Sequence, residues 1–284
     1  MVKSASYAVH FYMEEVGSRL VAKTGIPSDR YHIGKLILQG LREDPDFVSQ
    51  PWAPCGLREL YVRFPSAARL PAGWLAACAN LTHVRVEDGD NLTALDEAAL
   101  RGAALRELRV TSCALAALPA GLLDAAPDLL LLDLSYNRLT ALPGGLFVKT
   151  KKLRMLNLSN NRLTTSVYSS LAAVTSLTTL NLSYNDLKDT CGGAADSVRG
   201  TSPLEYLSSM ENLYLRKTNT SVICLDWRRN MSHLKQLDLT HNNISVVTFA
   251  DLQFYSAADV DLRDNPLRRL EYSPDDVAAA ASAA

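Results

Sequence analysis

The chain has 284 residues, a formal net charge of −1, and 48% hydrophobic against 21% charged residues. That composition belongs to a globular protein and excludes disorder, while the near-neutral charge gives no electrostatic pull toward nucleic acid or an acidic membrane. No apolar run reaches the ~18–20 residues of a membrane span, and the five cysteines lack the CxxC spacing of a zinc or redox site.

Residues 1–32 stand apart from the rest of the chain. Val9, Met13, Val16 and Leu20 keep helical spacing, which fits either a helix capping the N-terminal end of the next domain or a fortuitous coding segment. The opening MVKSASYAVHFYMEEVGSRL has no clean apolar stretch ending in small residues, so no secretory leader is read there. From residue 33 one template recurs, with apolar residues at positions 1, 4, 6 and 11 and usually Asn at 9. Early copies begin Ile33, Leu36, Leu38; Leu57, Leu60, Val62; Leu81, Val84, Val86; and Leu105, Leu108, Val110, with Cys113 in the Asn place. The template is complete at Leu129, Leu132, Leu134, Asn137 and Leu139. Further copies start at 153, 177, 210, 234 and 257, with Asn161, Asn185, Asn242 and Asn265 at position 9 of four of them. Six consecutive steps are 24 residues, one is 33 and the last is 23. The repeat domain spans 33–272, and the tail 273–284 (VAAAASAA at its end) reads as disordered.

Positions 4 and 6 are two apart, so on a strand they share a face, while positions 3, 5 and 7 share the other. A single repeat buries too little apolar surface to stand alone and must stack on its neighbours. Asn at position 9 carries donors and an acceptor that can satisfy backbone groups where the chain leaves the strand. The returning halves, such as Leu118–Leu123 and Leu142–Phe147, are bulkier than the strand halves. Strands stack at about 4.8 Å, so the expected solenoid curves with its strands inside.

This pattern resembles the leucine-rich repeat in its 24-residue form. The resemblance implies an α/β solenoid, a horseshoe of about ten repeats with a parallel sheet on the concave face. LDLSYNRLTALPGGLF (132–147), the stretch 213–245 and VDLRDNPL (260–267) are similar, more specifically, to an arthropod Toll-like receptor ectodomain. That likeness implies recognition of a Spätzle-type cystine-knot cytokine or a microbial product, receptor dimerisation, and an extracellular or cell-surface place for the full-length parent. Cysteine-rich caps are absent, and Arg268 and Arg269 follow DNPL. The chain thus reads as part of such an ectodomain in innate immune or developmental signalling. An intracellular leucine-rich adaptor that scaffolds a protein partner, and a matrix or adhesion protein, are the alternatives.

Asn-x-Ser/Thr occurs at Asn80, Asn91, Asn157, Asn181, Asn219, Asn230 and Asn243, more often than chance pairing gives. That excess favours a glycosylated extracellular history. Asn157 and Asn181 fall on the concave face, where glycans would cover the middle of the sheet. Cys55 and Cys78 fall at neighbouring places in adjacent repeats, and Cys191 and Cys224 at the same place in adjacent repeats. Adjacent coils bring such places within disulfide reach, so the expected pairs are Cys55–Cys78 and Cys191–Cys224, with Cys113 a free buried thiol.

No catalytic motif is present, the histidines form no metal-binding spacing, and no cofactor is expected. The expected binding surface is the concave sheet. Its candidates are Tyr61, Arg85, Arg109 and Asp133 at position 5, Leu131 and Met155 at position 3, and Tyr136 and Tyr184 at position 8. Leu131 and Met155, with Leu130 beside them, form either an apolar binding patch or drift of a leucine-rich motif. Arg85 and Arg109 are either neutralised by Glu59, Glu107 and Asp133 or free to meet an acidic partner.

Overall fold

The computed structural model describes residues 7–12, 33–39, 57–63, 67–76, 78–188, 204, 206–224, 227, 230–248 and 258–271. These residues divide between two compact units, 1–153 and 154–284. Both are built from stacked coils, each contributing one short strand to a parallel sheet.

In the first unit the strands are β1 (Tyr7–Tyr12), β2 (Ile33–Gln39), β3 (Glu59–Arg63), β5 (His83–Glu87), β7 (Glu107–Thr111) and β8 (Leu131–Asp133), adjacent in that order. The register follows the 24-residue step: Leu60 lies opposite Val84, Val84 opposite Leu108, and Leu108 opposite Leu132. Burial alternates along β3, β5 and β7, with Leu60, Val62, Val84, Val86, Leu108 and Val110 inside. Each such side chain contributes about 1.5–3 kcal/mol on burial. A second small sheet pairs β4 (Arg69–Leu70) with β6 (Ala94–Leu95).

The N-terminal expectation needs correction where it is described. Residues 7–12 are a strand parallel to β2, with Phe11 opposite Leu38. The segment YAVHFY is rich in aromatic and β-branched residues, which favour a pleated strand over a helix. Val9 therefore belongs to the sheet, and Met13, Val16 and Leu20 lie outside the described residues.

In the second unit the order is β9 (Met155–Asn157), β10 (Thr179–Asn181), β11 (Asn212–Tyr214), β12 (Gln236–Asp238) and β14 (Asp259–Asp261). Leu180 lies opposite Leu156 and Leu213, and Leu237 opposite Val260. The 33-residue step between β10 and β11 leaves the register unchanged. β13 (Val246–Thr248) pairs with β15 (Arg269–Glu271). Ten sheet strands thus fall at the ten expected starts, and each unit is a β-solenoid with a parallel sheet.

Helix is scarce among the described residues. It amounts to a 3-10 turn at Leu122–Ala125, a five-residue helix, α1, at Val167–Leu171, and the helical residues Trp227 and Asn230. The LPxxLL and LPxxLF segments close with i→i+3 bonds instead, Leu122 N–H to Pro119 C=O at 3.2 Å and Leu146 N–H to Pro143 C=O at 3.3 Å. Proline is tolerated at the start of each turn, and in the second one Gly145, at φ 84°, leaves the helical region.

Position 9 makes a ladder. Asn185 Nδ2 donates to the carbonyls of Leu158 (3.0 Å) and Leu182 (2.9 Å), and its Oδ1 accepts from Leu163 N–H at 2.9 Å. Asn137 does the same with Val110, Leu134 and Leu115, and Asn242 reaches Leu215, Leu239 and the N–H groups of Thr218 and Thr220. Where the coil starting at 210 has Thr218 in the Asn place, Thr218 Oγ1 bonds the Leu215 carbonyl at 2.9 Å and meets Thr220 Oγ1 at 2.9 Å. In the coil starting at 105, the Cys113 thiol donates to Thr111 C=O at 3.2 Å.

Candidate binding surface

The strand positions that do not enter the core form the open face of each sheet. Two local rules set its shape. Position 5 carries Asp or Asn in five coils, and Oδ1 of Asp133, Asn157, Asn181, Asp238 and Asp261 accepts the N–H two residues on, at 2.9–3.1 Å. This side-chain turn ends the strand. Position 8 then adopts a left-handed backbone in eight coils: Asp88, Ser112, Tyr136, Asn160, Tyr184, Lys217, His241 and Asp264 have φ between 52° and 59°. Such φ values cost non-glycine residues about 1–2 kcal/mol, least for Asn and Asp.

On the first unit the open face is a charge network. Glu107 Oε1 accepts from Arg109 Nε at 2.8 Å and pairs with Arg85 Nη2 at 2.9 Å, while Arg109 Nη1 lies 3.7 Å from Asp133. Lys35 pairs with Glu59 at 3.0 Å, and the Tyr61 hydroxyl donates to Glu87 at 2.8 Å. Burial alone would raise the Glu107 carboxyl, but the hydrogen bond and charge of Arg109, with the charge of Arg85, hold it below its usual value. Burial, then the Glu87 hydrogen bond, pushes the Tyr61 phenol up. Around this network lies a recess of about 540 Å³ lined by Lys35, Glu59, Leu60, Tyr61, His83, Arg85, Glu87 and Glu107. Of the first-unit candidates, Arg85 and Arg109 come together through Glu107, Asp133 joins them through Arg109, and Tyr61 joins the recess through Glu87. Asp133 also takes the Ser135 hydroxyl at 2.7 Å. Glu87 was not among the candidates; its signal was its place at position 7, diagonally within reach of a long side chain at position 5.

The apolar candidates divide between the units. In the first, Leu130 is 38% and Tyr136 59% exposed, and Leu131 is half-buried opposite Glu107. In the second, Met155 is 45% and Tyr184 39% exposed. Tyr184 is not isolated. Arg216 Nε donates to its hydroxyl at 3.0 Å, and Arg216 Cζ and Lys217 Nζ lie 5.9 and 5.8 Å from its ring centroid. Arg216 and Lys217 were also outside the candidate set; their signal was position 7 or 8 in the coil after Tyr184.

Asn80, Asn91, Asn219 and Asn243 are exposed, and Asn157, Asn181 and Asn230 half-buried. Asn243 Nδ2 donates to Asn219 Oδ1, and Asn219 Nδ2 to Asp186 at 3.5 Å. Cys78 and Cys224 are disulfide-bonded, and their expected partners Cys55 and Cys191 lie outside the described residues. Cys113 is a buried free thiol, which burial pushes up to about 11. Among the described residues no helix is long and apolar enough to cross a membrane.

Comparison with known proteins places this geometry. The leucine-rich repeat family model matches residues 103–163, 127–187 and 208–254. The Toll protein of Drosophila melanogaster is 36% identical over 78 residues, covering 27% of this chain and 7% of Toll. A chain of the Drosophila Toll–Spätzle complex superposes with a TM-score of 0.70 at 28% identity, over 85% of this chain and 33% of that one. Human 5T4, a trophoblast glycoprotein, shares the fold at 23% identity and a TM-score of 0.53, over 82% of this chain and 76% of its own. The chain therefore spans about a third of the solved Toll chain it matches.

Proposed function

Starting from a chain that is a leucine-rich repeat protein resembling a Toll ectodomain, we propose that it is a non-catalytic recognition module that binds a protein ligand of the cystine-knot cytokine class. The observation that carries this reading is the 0.70 TM-score to Toll in its complex with Spätzle, at 28% identity. The open faces support it. They carry ordered, mutually paired charges and exposed aromatic side chains, which suit a protein partner. The module works outside the cell or at its surface, in innate immune or developmental signalling, as the exposed sequons and the bonded Cys78 and Cys224 favour. Cys78 pairs with Cys55 and Cys224 with Cys191 in this reading.

The test is surface plasmon resonance of the full chain against purified Spätzle. Saturable binding at micromolar or lower concentration is expected, and its absence up to ~100 μM overturns the cytokine reading. A thiol count under denaturing, non-reducing conditions accompanies it. One free thiol, that of Cys113, is expected, and five would return the chain to the intracellular adaptor class.

A further inference from the structure

We propose that Tyr184, Arg216 and Lys217 form a preorganised anchor for a single carboxylate on a protein partner. This deepens the recognition reading above and rests on it only for the partner being a protein.

Three observations converge. Among the described residues neither Arg216 nor Lys217 has a carboxylate within 4.0 Å, whereas Arg85, Arg109, Lys235 and Arg263 all do. Neither cation touches a carboxylate, although the Arg216 charge reaches Asp261 at longer range, and one aromatic ring holds both. Their distances to the Tyr184 centroid, 5.9 and 5.8 Å, fall inside the ~6 Å range of cation–π attraction. The Tyr184 hydroxyl further fixes the guanidinium through the 3.0 Å bond from Arg216 Nε.

The backbone fixes the anchor as well. Tyr184 N–H donates to Arg216 C=O at 2.8 Å, Arg216 N–H to Ser183 Oγ at 3.2 Å, and Lys217 N–H to Thr240 C=O at 3.0 Å. Tyr184 and Lys217 both hold left-handed backbone, φ 59° and 52°, which turns two bulky side chains off the strand line. Because the Arg216 side chain is already ordered, binding costs less rotamer entropy than it does for a free surface arginine. Tyr and Arg are also the residue types that dominate contact energies in protein interfaces.

Charge around the anchor selects the partner. Asp186 lies two residues from Tyr184, Asp238 is opposite Tyr214 in the register, and Asp264 pairs with His241 at 3.2 Å. An extended polyanion would run onto these carboxylates. A single Asp or Glu set in a protein surface would not.

The experiment is fluorescence anisotropy of the full chain with a labelled, C-terminally amidated Gly/Ser peptide bearing one Asp, and with a heparin oligosaccharide as the extended polyanion. Arg216→Gln/Lys217→Gln is expected to weaken peptide binding tenfold or more. Lys152→Gln/Lys235→Gln, which removes the same charge elsewhere, is expected to change it less than twofold. Equal effects of the two pairs, no saturable peptide binding by the wild type, or heparin binding tenfold tighter than the peptide would each overturn the anchor. Arg216→Lys keeps the charge and loses the bond to Tyr184, and serves if the double variant does not fold. A three- to fivefold loss is expected from it, and no loss refutes the part given to Tyr184. The peptide result stands whether or not Spätzle binds, so the two readings fail separately.

Discussion

Replacing Asn185 by alanine tests the ladder at one rung. The side chain is 5% exposed, bonds the Leu158 and Leu182 carbonyls and the Leu163 N–H, and makes a longer 3.4 Å bond to the Ser183 carbonyl, all within the second unit. Alanine leaves the Leu163 N–H as a buried unpaired donor, which costs about 1–3 kcal/mol, and each carbonyl loses a bond with a net value of about 0.5–1.5 kcal/mol. Water entering the vacated space offsets part of the sum, so the expected loss is about 3 kcal/mol. Guanidinium unfolding of the full chain, followed by far-ultraviolet circular dichroism, reads it. Asn157→Ala removes one bond, to the Ser159 N–H at 3.1 Å, and is expected to cost about 1 kcal/mol. Asn185→Asp keeps the acceptor but aims a carboxylate at two carbonyls, so it should cost at least as much as alanine. An Asn185→Ala loss no larger than that of Asn157→Ala would refute the ladder as a source of stability.

Tyr136, 59% exposed with φ 55°, should tolerate Asn with a gain of about 0.5–1 kcal/mol in the same assay, because Asn enters the left-handed region at lower cost. Glu107 is lowered in the folded state. Its contribution is therefore present above the unfolded carboxyl value of 4.5 and lost as pH falls through the lower folded value. The stability difference between wild type and Glu107→Gln should accordingly shrink from pH 6 toward pH 3, and a difference that grows on acidification contradicts the network. Asn219 and Asn243 touch through their side-chain amides, so glycopeptide mapping of secreted material should find one or the other carrying a glycan and few molecules carrying both. Asn219→Gln should then raise occupancy at Asn243.

Much of the fold was legible because one physical demand, burial behind a neighbour, repeats. Leu60, Val84, Leu108 and Leu132 are spaced by it, and the register keeps the same count. The Asn rung was readable for a related reason: a buried turn must satisfy its backbone, and an amide carries both kinds of group. What escaped is set by contacts that have no period. The strand at residues 7–12 was hidden by an accidental helical spacing at Val9. Thr218 and Thr220 share the rung of one coil in a way that no template anticipates. On the open face, position numbers named Tyr61, Arg85 and Tyr184 but not the partners they choose. Glu87 and Arg216 lie one coil away and off the row, and only side-chain reach decides such diagonal contacts. The left-handed turn at position 8 was also unreadable, since Tyr, Lys, Ser and His occupy it beside Asn and Asp.

The unbroken match of Thr179 to Asn212 and Leu180 to Leu213, across a step nine residues longer than its neighbours, has a consequence for how such a chain can change. Strand pairing records only what arrives at the sheet and is blind to the length of the route taken to get there. A coil can therefore grow a new loop between one strand and the next, and with it new surface, while the strands themselves stay in step.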